Sequence, residues 1–147
     1  HDMVGSVTWT NAPLDDPAPE LFAEPRMLHA EDREGLWLRV VDAERALAER
    51  GYDGSGTLRI GITEDSLAPW NEGVFELSAS PAGATVTRVQ ADADLVLSPK
   101  ALALLYTGRR DARLLHAWGL IEGAPDAVAR AADIFATRTL PHAPDHF

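Results

Sequence analysis

Strand-forming stretches in the first two thirds of this chain, followed by helix-forming ones, predict an α+β fold: a mainly antiparallel sheet with helices packed on one face. Three observations carry that expectation. Residues 57–62 alternate, placing Leu58, Ile60 and Ile62 on one side of a strand. Residues 74–79 and 84–89 flank Ser80-Pro81-Ala82-Gly83 as the arms of a hairpin. From Ser98 onward the apolar spacing turns helical, punctuated by proline at starts and glycine at stops.

Element by element, the first thirty or so residues read as an arm or linker, because Pro13, Pro17, Pro19 and Pro25 interrupt them and only residues 7–10 suggest a strand. His1-Asp2-Met3 reads as a leader added ahead of the natural sequence. Leu36-Trp37-Leu38-Arg39-Val40-Val41 predicts a strand, after which Asp42 caps a helix over 43–50 with Gly51 at its C′ position. The strand at 57–62, the hairpin and a short strand at 94–97 follow. Ser98 caps and Pro99 starts a helix running to Thr107 and closed by Gly108. Asp111 caps the next, which ends at Gly119; Pro125 opens the last, with Val128, Ala131, Ala132 and Phe135 at helical spacing. From Thr137 an extended tail is expected.

A chain of 147 residues suits one domain with a core of its own. Its 13 basic and 23 acidic side chains give a formal net charge of -10, which opposes nucleic acid and anionic membrane partners and favours cationic ones. Absence of cysteine removes disulfides, thiolate catalysis and cysteine-ligated zinc together. No apolar run approaches the roughly 18 residues a membrane span needs, and no basic-then-apolar leader is present, which fits a cytoplasmic location.

The residues that could carry chemistry each have a plainer reading. Gly51, Gly54 and Gly56 resemble a phosphate cradle, but a strand follows where a helix N-terminus would be needed, so a flexible turn is expected. His142, Asp145 and His146 could offer two imidazoles and a carboxylate to a metal, although a stiffened, solvated tail fits them better. His116, beside Leu114, Leu115 and Trp118, suits a partly buried structural histidine rather than a base. Trp9, Trp37, Trp70 and Trp118 read as core or interface anchors, with core packing expected. Leu102, Leu105, Leu114, Val128 and Phe135 would either line an apolar lipid pocket or fill it, and filling is the ordinary state of interiors.

Several short motifs occur in one order: Gly35-Leu36-Trp37-Leu38-Arg39, Val41-Asp42, Ala46-Leu47, Arg50, Tyr52, Asp65, Pro69-Trp70-Asn71, Gly73, Ala93-Asp94-Leu95, Leu105-Tyr106, Gly108, Pro144-Asp145 and Phe147. In that order they resemble the C-terminal part of the enhanced intracellular survival family of GNAT acetyltransferases. Pro13-Leu14-Asp15-Asp16-Pro17 and Glu24-Pro25-Arg26 are similar to that family's connection out of its middle, GNAT-like domain. The resemblance implies a linker over 1–34 and a sterol carrier protein 2-like domain over 35–147 whose tail reaches an active site. It also implies upstream GNAT domains on the same chain, acetyl-CoA as their co-substrate, and a full-length homo-hexamer.

The catalytic group implied for this part is the terminal carboxylate of Phe147, with Asp145 and His146 either shaping a pocket for polyamine-like amines, aminoglycosides included, or merely solvated. A free α-carboxylate titrates near about 3.5, so holding and orienting a cationic amine matters as much as removing its proton. The chain holds no Arg/Gln-x-x-Gly-x-Gly/Ala loop for the cofactor's pyrophosphate, and neither Tyr52 nor Tyr106 matches the family's acid, so the fragment alone is expected to be inactive. Pro141-His142-Ala143 stands where the family often has a tryptophan, so substrate preference does not carry over. Two alternatives remain beside this reading, a non-enzymatic sterol or lipid carrier and an oligomerisation domain.

Overall fold

The computed structural model describes residues 5–31 and 36–143. Strands β1 (Gly56–Ile62), β2 (Gly73–Ser80), β3 (Gly83–Val89), β4 (Leu95–Leu97) and β5 (Ile121–Gly123) form one sheet in the order β3-β2-β1-β4-β5. All neighbours are antiparallel except β1 and β4, which run parallel. The hairpin pairs Ser80 with Gly83 around a two-residue turn, and Ser80 Oγ stands 3.2 Å from Gly83 O.

Register puts the alternation to use. Leu58 lies opposite Leu77, Ile60 opposite both Phe75 and Leu95, and Ile62 opposite Leu97, which in turn faces Ile121. These side chains are all buried on one face, whereas Thr57, Glu76, Ser78, Thr85 and Thr87 remain exposed on the other. Helices cover the apolar face: α2 (Ala43–Glu49) against β3 and α5 (Pro125–Phe135) against β1. Between β4 and β5 the chain forms α3 (Pro99–Tyr106) and α4 (Ala112–Ala117). The α+β fold, a mainly antiparallel sheet with helices on one side, is therefore the one the residue pattern predicts.

The caps explain the helix limits. Asp42 Oδ1 accepts from Arg45 N at 3.0 Å, Ser98 Oγ from Ala101 N at 3.4 Å and Asp111 Oδ1 from Arg113 N at 2.7 Å. Gly108 and Gly119, both at φ 70°, close α3 and α4 in the left-handed conformation that glycine adopts without strain. Gly51 has no such part, because α2 already leaves its helix at Arg50, whose ψ is 137°.

Three expectations are corrected. Residues 36–41 and 7–10 are not strands. Val40 enters the core, but the Val40 and Val41 carbonyls are taken by the Asn71 and Trp70 side chains. Nor are the tryptophans core residues: Trp9, Trp37, Trp70 and Trp118 are 61%, 84%, 60% and 54% exposed. Leu114 is also exposed, unlike Leu102, Leu105, Val128 and Phe135, which join the buried core.

Residues 38–138 form one compact unit and the described residues among 1–37 and 139–147 another. In the latter, Asp16 Oδ1 accepts from Ala18 N at 2.8 Å at the start of the four-residue α1 (Ala18–Leu21), which buries none of its side chains. Asp15 Oδ2 accepts from Leu140 N at 2.8 Å in the same unit.

Candidate functional site

Phe147, Asp145 and His146, the residues expected to carry function, lie outside the described residues. The last anchor before them in the larger unit is Arg138, whose Nε donates to Asp53 Oδ2 at 3.2 Å. His142 is described and exposed, but its two candidate co-ligands are not. Among the described residues no group of three or more His, Asp or Glu side chains is arranged to hold a metal.

Two polar clusters organise the larger unit. The first joins the segment entering α2 to the β1–β2 connection. Asn71, 2% exposed, accepts from Ala43 N at 2.9 Å and donates to Val40 O at 3.3 Å, Val41 O at 3.1 Å and Asp65 Oδ2 at 3.3 Å. Asp65, 1% exposed, accepts from Ala68 N at 2.8 Å and from the Arg39 guanidinium. Burial pushes its carboxyl pKa up, but the hydrogen bonds from Ala68 and Asn71 and the Arg39 charge outweigh that, and the group is held below the usual aspartate range. Trp70 Nε1 donates to Val41 O at 2.8 Å, which fixes its ring outward.

The second cluster centres on Arg50. Its Nε donates to Tyr106 O at 2.8 Å and its Nη2 to Phe135 O at 3.1 Å, binding the C-terminal carbonyls of α3 and α5 together. The guanidinium lies 4.7 Å from the Tyr52 ring centroid and 5.1 Å from that of Phe135. Tyr52 donates its hydroxyl to Leu47 O at 2.8 Å, and burial pushes its pKa up to about 12.

These groups are consumed by structure. Among the described residues no buried side-chain nitrogen or oxygen lacks a partner. His116 is exposed rather than partly buried, but its Nδ1 sits 3.0 Å from Ile121 O and ties α4 to β5, a structural contact. Gly54 is more than a flexible turn, since a Cβ there would stand 2.2 Å from Asp133 O of α5. At the hairpin an open depression of about 390 Å³ is lined by Ser78, Ser80, Ala82, Gly83, Ala84 and Thr85, hydroxyl groups with no base beside them.

Sequence reasoning missed the outer face of α4. Leu114 and Trp118 lie there one turn apart, with the Arg110 guanidinium 5.8 Å from the Trp118 ring centroid. The signal available was Arg109-Arg110 and Arg113 crowded together in so acidic a chain.

Fold and clusters define a single-sheet α+β module whose described residues build latches and surfaces. The chain belongs to the sterol carrier protein domain family, which matches residues 43–144. It is 31% identical, over 99% of its length, to an uncharacterized N-acetyltransferase of Streptomyces avermitilis, and covers 36% of that protein. It is also 31% identical over 103 residues to the N-acetyltransferase Eis of Mycobacterium tuberculosis, covering 25% of it. Among solved structures, Eis1 from Mycobacterium abscessus matches at a TM-score of 0.79 and 35% identity, over 92% of this chain and 34% of that one. A GCN5-related N-acetyltransferase from Anabaena variabilis matches at a TM-score of 0.68 and 33% identity, over 74% of this chain and 28% of that one. The chain thus covers between a quarter and just over a third of these relatives. Among its described residues no helix is long and apolar enough to cross a membrane.

Proposed function

We propose that this chain is the accessory C-terminal domain of an acetyl-CoA-dependent N-acetyltransferase that acts on primary amines, aminoglycosides or polyamine-like compounds. One observation carries the reading: relatives called N-acetyltransferases match 99% of the chain while extending to nearly three times its length. Residues 1–34 connect to GNAT domains upstream that bind acetyl-CoA, and residues 35–147 supply the tail. There the Phe147 carboxylate orients the substrate ammonium and draws on its proton, with Asp145 and His146 lining part of the cleft. The amine nitrogen then bonds the acetyl carbon as the thioester C–S bond breaks, and the thiol of coenzyme A leaves. Net charge of -10 supports a cationic substrate. Burial of Leu102, Leu105, Val128 and Phe135 in the core supports an accessory domain over a lipid carrier. The reading includes a cytoplasmic homo-hexamer for the full-length protein.

Extending the C-terminus of the full-length enzyme by one residue moves the carboxylate without touching the fold. A fall in acetylation with acetyl-CoA binding retained is expected; unchanged kinetics would sink the assignment of Phe147.

A further inference from the structure

The exit of α5 is held from outside. The helix ends at Ala136 (φ -52°, ψ 140°) without the left-handed glycine that closes α3 and α4. Instead, neighbouring segments grip the chain as it leaves. Arg50 Nη2 donates to Phe135 O at 3.1 Å while its Nε donates to Tyr106 O at 2.8 Å, and the Tyr52 ring meets that of Phe135 edge-on at 5.7 Å. Thr137 lies over Gly108, where a Cβ would collide with its Oγ1 and Cγ2. Arg138 Nε donates to Asp53 Oδ2 at 3.2 Å. Arg50, Tyr52 and Asp53 come from the connection between α2 and β1, Tyr106 and Gly108 from the end of α3, so two segments far apart in sequence converge on residues 135–138. Thr137 and Arg138 are exposed, so core packing does not account for the last two of these holds.

Resting on the assignment of Phe147 as the catalytic carboxylate, we propose that Gly108 with Thr137, and Asp53 with Arg138, are positioning residues for it. They fix the point and direction from which the tail departs and act on the reaction only through the tail. The larger unit ends at Arg138, and the remaining residues, 139–147, span at most about 30 Å fully extended. Release at 137 and 138 would start the tether at Ala136 instead. The effective concentration of a tethered group falls as its tether lengthens, and a reacting group misplaced by about 1 Å can lose roughly a hundredfold in rate. Thr137 and Arg138 touch neither substrate nor cofactor in this role, which separates them from Phe147 itself.

Thr137→Gly combined with Arg138→Glu in the full-length enzyme removes both outer holds at exposed positions. The kcat/KM for the amine is expected to fall roughly tenfold, with the KM for acetyl-CoA and the urea midpoint unchanged. Gly51→Ala, in the same connection but meeting no atom within 4 Å, is the control and is expected to leave the kinetics as they are. In the enzyme lacking Phe147 the paired substitutions are expected to cost nothing further, because the carboxylate they position is already out of place. A Phe147 deletion that leaves transfer intact would overturn the catalytic assignment and the positioning role with it. A deletion that costs transfer while the paired substitutions leave kcat/KM at the wild-type value, or a loss that persists undiminished without Phe147, would overturn the positioning role alone.

Discussion

The Asn71 side-chain oxygen accepts the backbone N–H of Ala43 at 2.9 Å, so a residue in the β1–β2 connection holds the first turn of α2. Its amide nitrogen reaches Val40 O, Val41 O and Asp65, so one side chain fastens both sides of the latch. Asn71→Ala leaves these buried groups without partners and is expected to destabilise the unit by roughly 2–4 kcal/mol. Urea unfolding measures it as a fall in midpoint. Asn71→Asp is expected to do worse, because it sets a second carboxylate against Asp65.

The depressed pKa of Asp65 makes the same latch sensitive to acid. Its folded pKa lies below its unfolded value, so its contribution is complete above the unfolded pKa of about 3.9 and is lost as pH falls through the folded one. Asp65→Asn is expected to be clearly less stable than wild type at neutral pH, with the difference narrowing below about pH 4. Urea titrations at both pH values check it; a difference independent of pH would contradict it.

Tyr52 behaves oppositely, because burial raises its pKa to about 12. The stability it contributes is complete below the unfolded phenol's pKa of about 10 and is lost as pH rises through the folded value. The chain has two tyrosines, so in Tyr106→Phe the phenolate absorbance reports Tyr52 alone. Ionisation is expected near pH 12 or together with alkaline unfolding, and ionisation of the folded protein near pH 10 would contradict the burial argument.

Gly54→Ala brings a methyl group to 2.2 Å from the Asp133 carbonyl oxygen, so α5 or the loop must move. Backbone cannot swing aside as a side-chain tip can. A loss of about 1–3 kcal/mol is expected in thermal or urea unfolding. Gly51→Ala, which meets no atom within 4 Å, is the control and is expected to change stability little.

Much of the fold was legible because its elements carry local signals. Leu58, Ile60 and Ile62 alternate, Ser80 and Gly83 frame a turn, and Asp42, Ser98 and Asp111 cap helices as side-chain chemistry dictates. What escaped depends on distant partners. Ile121–Gly123 is too short to announce itself and exists as a strand because β4 pairs with it. Leu36 to Val41 has strand-forming composition, yet the carbonyls at its end, those of Val40 and Val41, are taken by the Asn71 and Trp70 side chains. Trp70 and Trp118 read as core by residue type, although Trp70 is held outward by its bond to Val41 O and Trp118 lies on the exposed outer face at the end of α4. The motif Asp65, Pro69-Trp70-Asn71 was visible as a pattern, and its physical content, a buried latch, emerged only from the hydrogen bonds.

Acetyl transfer from acetyl-CoA to a panel of primary amines, measured on the full-length enzyme and on the same enzyme lacking only Phe147, tests the functional proposal most directly. Loss of transfer with acetyl-CoA binding intact is the expected result and would put the terminal carboxylate in catalysis; full activity without Phe147 would contradict it and leave this domain a scaffold.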